Sequence, residues 1–213
     1  MNAIIVLDYI GVTLFAVTGA LSASRKQLDV IGFLFLATVT GIGGGTARDL
    51  ILGVPVFWVV QPNYILACAG AAVVTFFTAH LVESRYRWLL WLDAIGLAAY
   101  GVFGAYKGLT VTGSPYVAVV MGMLTGTLGG ILRDVLANEP SVLMRKEIYI
   151  TAAMVGATCF VVASAAGLPV FAASAAGFAA ALCLRGGSLL FGWNLPPYKS
   201  RPGRMPPGGP TGG

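Results

Sequence analysis

The chain has 213 residues, of which 57% are hydrophobic and only 10% are charged, whereas charged residues make up about 25% of an average soluble protein. Its 13 basic and 8 acidic side chains are too few to cover a soluble domain of this size. They are also clustered, which leaves apolar stretches of about 18 residues or more, long enough to span a hydrocarbon core. This excludes an ordinary cytosolic enzyme and predicts an all-α polytopic membrane protein.

Seven apolar stretches are predicted to be transmembrane helices. The seventh is slightly short for a full span, and we expect Arg185 to snorkel to the interface so that this helix continues toward Phe191. We find no motif for catalysis, nucleotide binding or metal ligation, so we expect no enzyme activity, no cofactor and no nucleic-acid partner. The predicted helices, in chain order, are 4–24, 30–53, 62–82, 88–107, 115–138, 148–167 and 169–190.

The basic residues predict the orientation of these helices. Seven spans place the termini on opposite sides of the membrane, and 11 of the 13 basic residues then fall on the side of the C-terminus. Only Arg48 and Lys107 fall on the other side. Because cytoplasmic loops are enriched in Lys and Arg, we predict that the N-terminus lies outside and the C-terminus lies in the cytoplasm.

An internal repeat at an offset of 85 residues is the most informative feature of the sequence. Residues 7–66 and 92–151 share 16 identities in 60 ungapped positions. Each copy holds three spans, an odd number, so the second copy enters the membrane from the opposite side and forms an inverted repeat. The predicted units are a first repeat at 1–86, an inverted second repeat at 87–168, a seventh helix at 169–192 and a disordered cytoplasmic tail, rich in Pro and Gly, at 193–213.

In both copies the middle helix carries a glycine cluster near the middle of the span. Each glycine costs about 1 kcal/mol relative to Ala inside a helix, so several together favour a break or kink. A break would free backbone groups to line a watery pathway. Close packing through small residues is the alternative explanation. The candidate pathway residues are Thr40, Gly41, Gly43, Gly44, Gly45 and Thr46 in the first copy, and Thr125, Gly126, Thr127, Gly129 and Gly130 in the second.

Charged residues also recur at equivalent positions of the two copies. An Arg-Asp pair follows each glycine cluster, and pairing is the least costly way to keep either charge within a bilayer. Such a pair either fixes the end of a helix or takes part in gating and ion attraction. A further Asp lies about one turn into the first span of each copy, where we expect it to pair with an Arg of the other repeat rather than form an ion-attracting vestibule. The charged candidates are Asp8, Arg48, Asp49, Asp93, Arg133 and Asp134.

Two kinds of solute suit a pathway built in this way. Freed carbonyl groups suit a desolvated cation, whereas helix N-termini suit an anion or the carboxylate of a substrate. The residues alone therefore leave open a cation channel, a transporter of a small zwitterion, and a structural membrane scaffold in which the glycines only pack.

The motifs Gly-Ile-Gly-Gly-Gly-Thr-Ala-Arg-Asp at 41–49 and Gly-Thr-Leu-Gly-Gly-Ile-Leu-Arg-Asp at 126–134 resemble those of the prokaryotic trimeric intracellular cation (TRIC) channel family. The resemblance covers about residues 1–190. It implies a homotrimer with a pore in each protomer, between the second and fifth spans, that conducts potassium and, less well, sodium.

The same resemblance implies a location in the bacterial inner membrane, with potassium and sodium ions, membrane lipids and further copies of this chain as partners. Animal members carry a basic residue in the first kink region, where this chain has only Gly and Ile, so gating that relies on such a residue is not expected. Some bacterial relatives are described as glycine transporters, and a small amino-acid transporter is therefore the alternative function.

Overall fold

The computed structural model describes residues 3–81, 84–141 and 148–196. Within these ranges the regular structure is entirely helical, which confirms the predicted fold class. Six of the helices are long and apolar enough to span a membrane, and the shorter apolar helix Ile150–Ala165 brings the number to the predicted seven. The predicted disordered tail lies outside the described residues from position 197 onward.

The helices follow the predicted spans, with two differences. The fourth span is longer than predicted, with 28 residues, and a single-turn helix that was not predicted follows the second span. The helices are α1 (Ala3–Arg25), α2 (Val30–Ile51), the single-turn α3 (Phe57–Val60), α4 (Asn63–Thr78), α5 (Arg85–Thr112), α6 (Pro115–Leu136), α7 (Ile150–Ala165) and α8 (Val170–Phe191).

Local sequence sets several of the helix ends. Asp29 caps α2 by accepting a hydrogen bond from the backbone N–H of Gly32 at 2.8 Å. The α6 helix starts with Pro115, the residue type favoured at the first helical position. The α5 and α8 helices end at Gly113 and Gly192, each with a φ of 67°, a left-handed conformation that glycine adopts without steric cost.

The helices pack as two similar groups of three. Helices α1, α2 and α4 contact one another, and so do α5, α6 and α7. The groups meet where α1 lies against α5 and where α2 lies against α6, and α8 packs on α5 and α7. Two repeats related by a two-fold axis produce such an arrangement. It brings the two glycine-rich helices together at the junction between the groups.

Glycine determines how closely α2 and α6 approach each other. A side chain at Gly44 would press on the carbonyl oxygen of Thr125, and a Cβ at Gly129 would lie 2.5 Å from the carbonyl oxygen of Thr40. Both contacts are closer than a real Cβ makes with backbone, so only glycine allows this crossing. Both helices are continuous, so of the predicted break or kink at the glycine clusters, the break is wrong. Close packing, the alternative explanation, accounts for these two glycines.

Other glycines of the clusters also serve packing. A Cβ at Gly43 would lie 2.6 Å from Leu132 of α6, and one at Gly41 would lie 2.9 Å from the sulfur of Cys68 on α4. In the second copy, a Cβ at Gly126 would lie 2.9 Å from a carbonyl oxygen of α5. Helices in a bilayer gain nothing from burying apolar surface against one another, so contacts of this kind supply much of their association.

The predicted snorkelling of Arg185 is wrong. Its side chain is fully buried, and its guanidinium carbon lies 5.1 Å from the centre of the Tyr149 ring. The predicted continuation of α8 to Phe191 is confirmed. The physical reason for the burial is that Arg185 lies on the side of α8 that packs against Tyr149, at the start of α7.

Replacing Gly129 by Ala is expected to destabilise the protein by about 1–3 kcal/mol, because the added methyl group must push α2 away from α6. Unfolding of the purified protein in detergent micelles measures this. Gly70→Ala is the matched control, since a Cβ at Gly70 meets nothing within 4 Å, and we expect it to leave stability unchanged or raise it by up to about 1 kcal/mol. Equal effects of the two substitutions would contradict the role assigned to the crossing.

Candidate functional site

The charged candidates form two clusters at opposite ends of the α2–α6 junction. Gly44 lies at Thr125 and Gly129 at Thr40, so the two helices run antiparallel and their C-terminal ends point in opposite directions. The three largest fully buried side chains among the described residues are arginines, namely Arg48, Arg133 and Arg185. A buried charge costs several kcal/mol unless it is paired and hydrogen-bonded. The partners of these arginines therefore matter to stability.

Arg133 is fully paired in the cluster at the end of α6. Its Nη1 donates to Asp93 Oδ1 at 2.8 Å and to the hydroxyl of Thr18 at 3.0 Å. Its Nε and Nη2 donate to Asp134 Oδ1 at 3.0 and 2.9 Å, and the Tyr149 hydroxyl donates to Asp93 Oδ1 at 3.5 Å. We name these five residues the α6 cluster.

The expectation that Asp93 pairs with an Arg of the other repeat is wrong. Its partner is Arg133, from its own repeat. The reason is tertiary, because α5 packs along α6 and brings the two side chains together within one repeat.

Asp49 is the shared acceptor in the cluster at the end of α2. It accepts hydrogen bonds from Arg48 Nε at 2.7 Å and from Lys107 Nζ at 2.8 Å. It also accepts the backbone N–H of Phe57 at 2.9 Å, and this bond holds α3 over the end of α2. Arg48 donates only through Nε, because its Nη1 and Nη2 have no hydrogen-bond partner within the described ranges.

Asp8, the counterpart of Asp93, has no Arg partner in the described part of the chain. It accepts one hydrogen bond, from the Tyr64 hydroxyl to Oδ2 at 2.5 Å. Its Oδ1 has no hydrogen-bond partner there, although the residue is only 3% exposed. The predicted ion pair of Asp8 is therefore wrong for this conformation. We name Asp8, Arg48, Asp49, Tyr64 and Lys107 the α2 cluster.

A small pocket adjoins the α2 cluster. Asp8 and Lys107 line it together with the rings of Phe57 and Phe103, and its volume is about 270 Å³. The guanidinium carbon of Arg48 lies 5.7 Å from the centre of the Phe57 ring and 5.0 Å from that of Phe103. Arg48 is thus in contact with the aromatic wall of the pocket.

The threonine candidates lie along the junction but use their hydroxyl hydrogens locally. Thr40, Thr46, Thr125 and Thr127 each donate to the carbonyl four residues earlier in the same helix, at 2.6 to 2.8 Å. Thr46 also accepts a hydrogen bond from Trp58 Nε1 at 2.9 Å. Their oxygens therefore act as acceptors rather than donors toward any solute.

Gly45 and Gly130, the last glycine of each cluster, provide room for buried tyrosine hydroxyls. A side chain at Gly45 would meet the hydroxyl of Tyr100, and one at Gly130 would meet that of Tyr149. These two candidates support the charged clusters instead of lining the crossing itself.

Sequence reasoning missed several residues of the two clusters. Tyr64 and Tyr149 are among the identities of the repeat at the offset of 85, and their hydroxyl groups were the signal that could have marked them as partners of Asp8 and Asp93. Lys107 gives no such signal, because its counterpart is Ser22. Its contact with Asp49 depends on how α5 packs beside α2.

Asp49→Asn is expected to destabilise the protein by about 3–5 kcal/mol, because it leaves the buried Arg48 and the partly buried Lys107 without their shared counter-charge. Chemical unfolding in detergent measures the change. Asp29→Asn is the matched control, and since Asn caps a helix as well as Asp does, we expect a change below about 0.5 kcal/mol. If Asp49→Asn were as well tolerated as Asp29→Asn, the ion pairs would be dispensable.

Comparisons with known proteins agree on one family. A family model described as "Glycine transporter" matches the chain twice, at residues 5–80 and 90–165. The solved structure of the TRIC trimeric intracellular cation channel orthologue from Rhodobacter sphaeroides is similar, with a TM-score of 0.88 and 54% sequence identity over 91% of this chain and 100% of that chain.

Two relatives found by sequence similarity support the same family assignment. The UPF0126 membrane protein of Vibrio cholerae is 38% identical over 194 residues, which are 90% of this chain and 81% of that protein. The UPF0126 inner membrane protein YadS of Escherichia coli strain K12 is 36% identical over 198 residues, which are 90% of this chain and 94% of YadS. The resemblance inferred from the glycine and Arg-Asp motifs is thereby confirmed, and the chain belongs to the prokaryotic TRIC family of membrane proteins, whose family model is described as "Glycine transporter".

Proposed function

We propose that this protein is a monovalent cation channel that prefers potassium, assembled as a homotrimer with one pathway in each protomer. The observation that carries the proposal is the pair of buried charged clusters at the two ends of one helix junction. Ionisable groups inside a membrane protein mark ion or substrate pathways, because they are too costly to keep otherwise. The Rhodobacter sphaeroides relative is a trimeric intracellular cation channel orthologue, which supports both the conduction and the trimer.

The proposed pathway runs along the α2–α6 junction from the α2 cluster to the α6 cluster. Of the candidate residues, Thr40, Gly43, Gly44, Thr125 and Gly129 lie at the contact between the two helices. The crossing at Gly44 and Gly129 is closed in this conformation, because carbonyl oxygens of the facing helix occupy the space beside each glycine. Conduction therefore requires α2 and α6 to separate, which exposes the carbonyl oxygens of Thr40 and Thr125. Carbonyl oxygens replace the hydration shell of potassium in channels.

We further propose the inverted-repeat boundaries at 1–86 and 87–168, the seventh helix at 169–192, and the N-terminus outside with the tail at 193–213 in the cytoplasm. The two segments that match the family model begin 85 residues apart, which supports the repeat. Asp49 forms ion pairs with both Arg48 and Lys107, the two basic residues assigned to the outside. This shared partner supports their placement on the same side of the membrane.

A transporter of a small zwitterion is the second candidate, and a specific observation favours it. The free Nη1 and Nη2 of Arg48 suit a carboxylate, which a guanidinium binds through two parallel hydrogen bonds. The free Oδ1 of Asp8 at the same end of α2 suits an ammonium group. The description of the family model as a glycine transporter agrees with such a ligand.

Planar-bilayer recording of the purified protein separates the two functions. We expect single-channel currents in KCl and smaller ones in NaCl, with no saturable uptake of radiolabelled glycine into proteoliposomes. Saturable glycine uptake without single-channel currents would establish the transporter instead. Absence of both fluxes would support a scaffold in which the glycines serve only packing.

Gly44→Leu and Gly129→Leu are each expected to abolish potassium flux without preventing membrane insertion, because the leucine side chain would fill the space that opens when α2 and α6 separate and so obstruct the proposed pathway. Potassium efflux from proteoliposomes measures the flux, and recovery in the membrane fraction measures insertion. Gly70→Leu, on the open face of α4, is the control and should conduct normally. Unchanged flux in both crossing variants would remove this junction from the pathway.

A further inference from the structure

We propose that Asp8 is the carboxylate of a binding site for a monovalent cation at the α2 end of the junction, and that Arg48 is an internal cation that competes for it. The inference rests on the proposed cation pathway and deepens it. It names Asp8 as the ligand, Arg48 as the competing group and the α2 end of the junction as the location of the site.

The two clusters show the same motif in two different arrangements. Four residues of the α2 cluster have identical counterparts in the α6 cluster. At the α6 end the position next to the Asp93 carboxylate is filled by a cation, since Arg133 Nη1 lies 2.8 Å from Asp93 Oδ1. At the α2 end no described side chain donates a hydrogen bond to the corresponding oxygen, Asp8 Oδ1. The matched residues are Asp8 and Asp93, Arg48 and Arg133, Asp49 and Asp134, and Tyr64 and Tyr149.

Two sequence differences between the repeats explain this asymmetry. Thr18, whose hydroxyl accepts a hydrogen bond from Arg133 at 3.0 Å, has Phe103 as its counterpart, and a phenyl ring offers no acceptor to Arg48. Ser22 has Lys107 as its counterpart, and Lys107 brings a second cation to the Asp49 carboxylate. Arg48 is therefore not drawn toward Asp8 as Arg133 is drawn toward Asp93.

The surroundings of Asp8 favour a monovalent cation over a divalent one. Asp8 is only 3% exposed, its Oδ1 accepts no hydrogen bond from a described residue, and Asp8 lines the pocket of about 270 Å³. Tyr64 and Gln61, which also line that pocket, add a hydroxyl oxygen and an amide oxygen, and aromatic faces attract cations. Calcium requires six to eight oxygen ligands, whereas this pocket offers one unpaired carboxylate and also contains the ammonium of Lys107.

Arg48 has the properties of the competing group. It is fully buried, yet Nη1 and Nη2 have no acceptor within the described ranges, a costly state that pairing with Asp8 would relieve. Its guanidinium contacts the rings of Phe57 and Phe103, and both rings line the pocket that contains Asp8. A conformation in which Arg48 reaches Asp8 reproduces the Arg133–Asp93 pair and expels the bound cation.

Thermal unfolding at constant ionic strength tests the site directly. The purified wild-type protein is melted in mixtures of KCl and N-methyl-D-glucamine chloride. We expect Tm to rise with KCl, because a ligand that binds only the native state stabilises it. In Asp8→Asn this rise should disappear, whereas the control Asp29→Asn should retain it. A rise of equal size in Asp8→Asn would overturn the proposal.

Two further variants keep the test decisive. If Asp8→Asn does not fold, Tyr64→Phe removes one ligand oxygen but keeps the carboxylate, and we expect it to need about threefold more KCl for the same rise in Tm. Arg48→Gln removes the competitor and should lower the half-saturating KCl concentration by about threefold or more, since every molecule is then competent to bind. A merely structural role of Arg48 would lower Tm without shifting the KCl dependence, and that result would contradict the competition.

The same experiments separate this site from the channel function. Stabilisation by KCl that depends on Asp8, in a protein that carries no current, would refute the channel and leave the site intact. Potassium current without stabilisation that depends on Asp8 would refute the site and leave the channel intact.

Discussion

The close contact between α2 and α6, backbone against glycine, is the constraint on which the other features of this protein depend. In a bilayer the lipid tails are as apolar as the side chains, so helices associate through packing and polar contacts instead of through burial of apolar surface. At this crossing Gly44 faces the Thr125 carbonyl oxygen and Gly129 faces the Thr40 carbonyl oxygen. Larger residues would separate the helices and the two groups of three to which they belong.

The crossing also explains where the charges lie. Because α2 and α6 run antiparallel, the Arg-Asp pair that follows each glycine cluster emerges at a different end of the same junction. The three buried arginines are unusual in a chain with so little charge, and each lies against an aromatic ring or a carboxylate. At the α6 end two carboxylates surround Arg133, whereas at the α2 end two cations share Asp49. One motif thus yields two electrostatic environments.

Several features could be predicted from residue patterns, and others could not, for identifiable reasons. The spans follow from apolar length, and the repeat follows from identities such as Arg48-Asp49 with Arg133-Asp134. The glycine clusters were expected to break or kink their helices because glycine destabilises an isolated helix, but tertiary packing keeps both helices unbroken. Arg185 was expected at the interface because it is the one charged residue of the seventh span, and the sequence does not show that it faces Tyr149 inside the bundle.

The sequence by itself determined the membrane location, the seven helices, the family and the residues that carry charge into the bilayer. The location, the helices and the charged residues follow from composition, apolar length and internal identity, and the family follows from the resemblance of the glycine and Arg-Asp motifs. All of these are visible along the chain. Only the tertiary structure decided that Asp93 pairs with Arg133 while Asp8 pairs with no arginine in the described residues, and that Lys107 reaches Asp49. Side chains 40 to 60 residues apart meet only when helices pack, and the facing surfaces of packed helices are not specified by either helix alone.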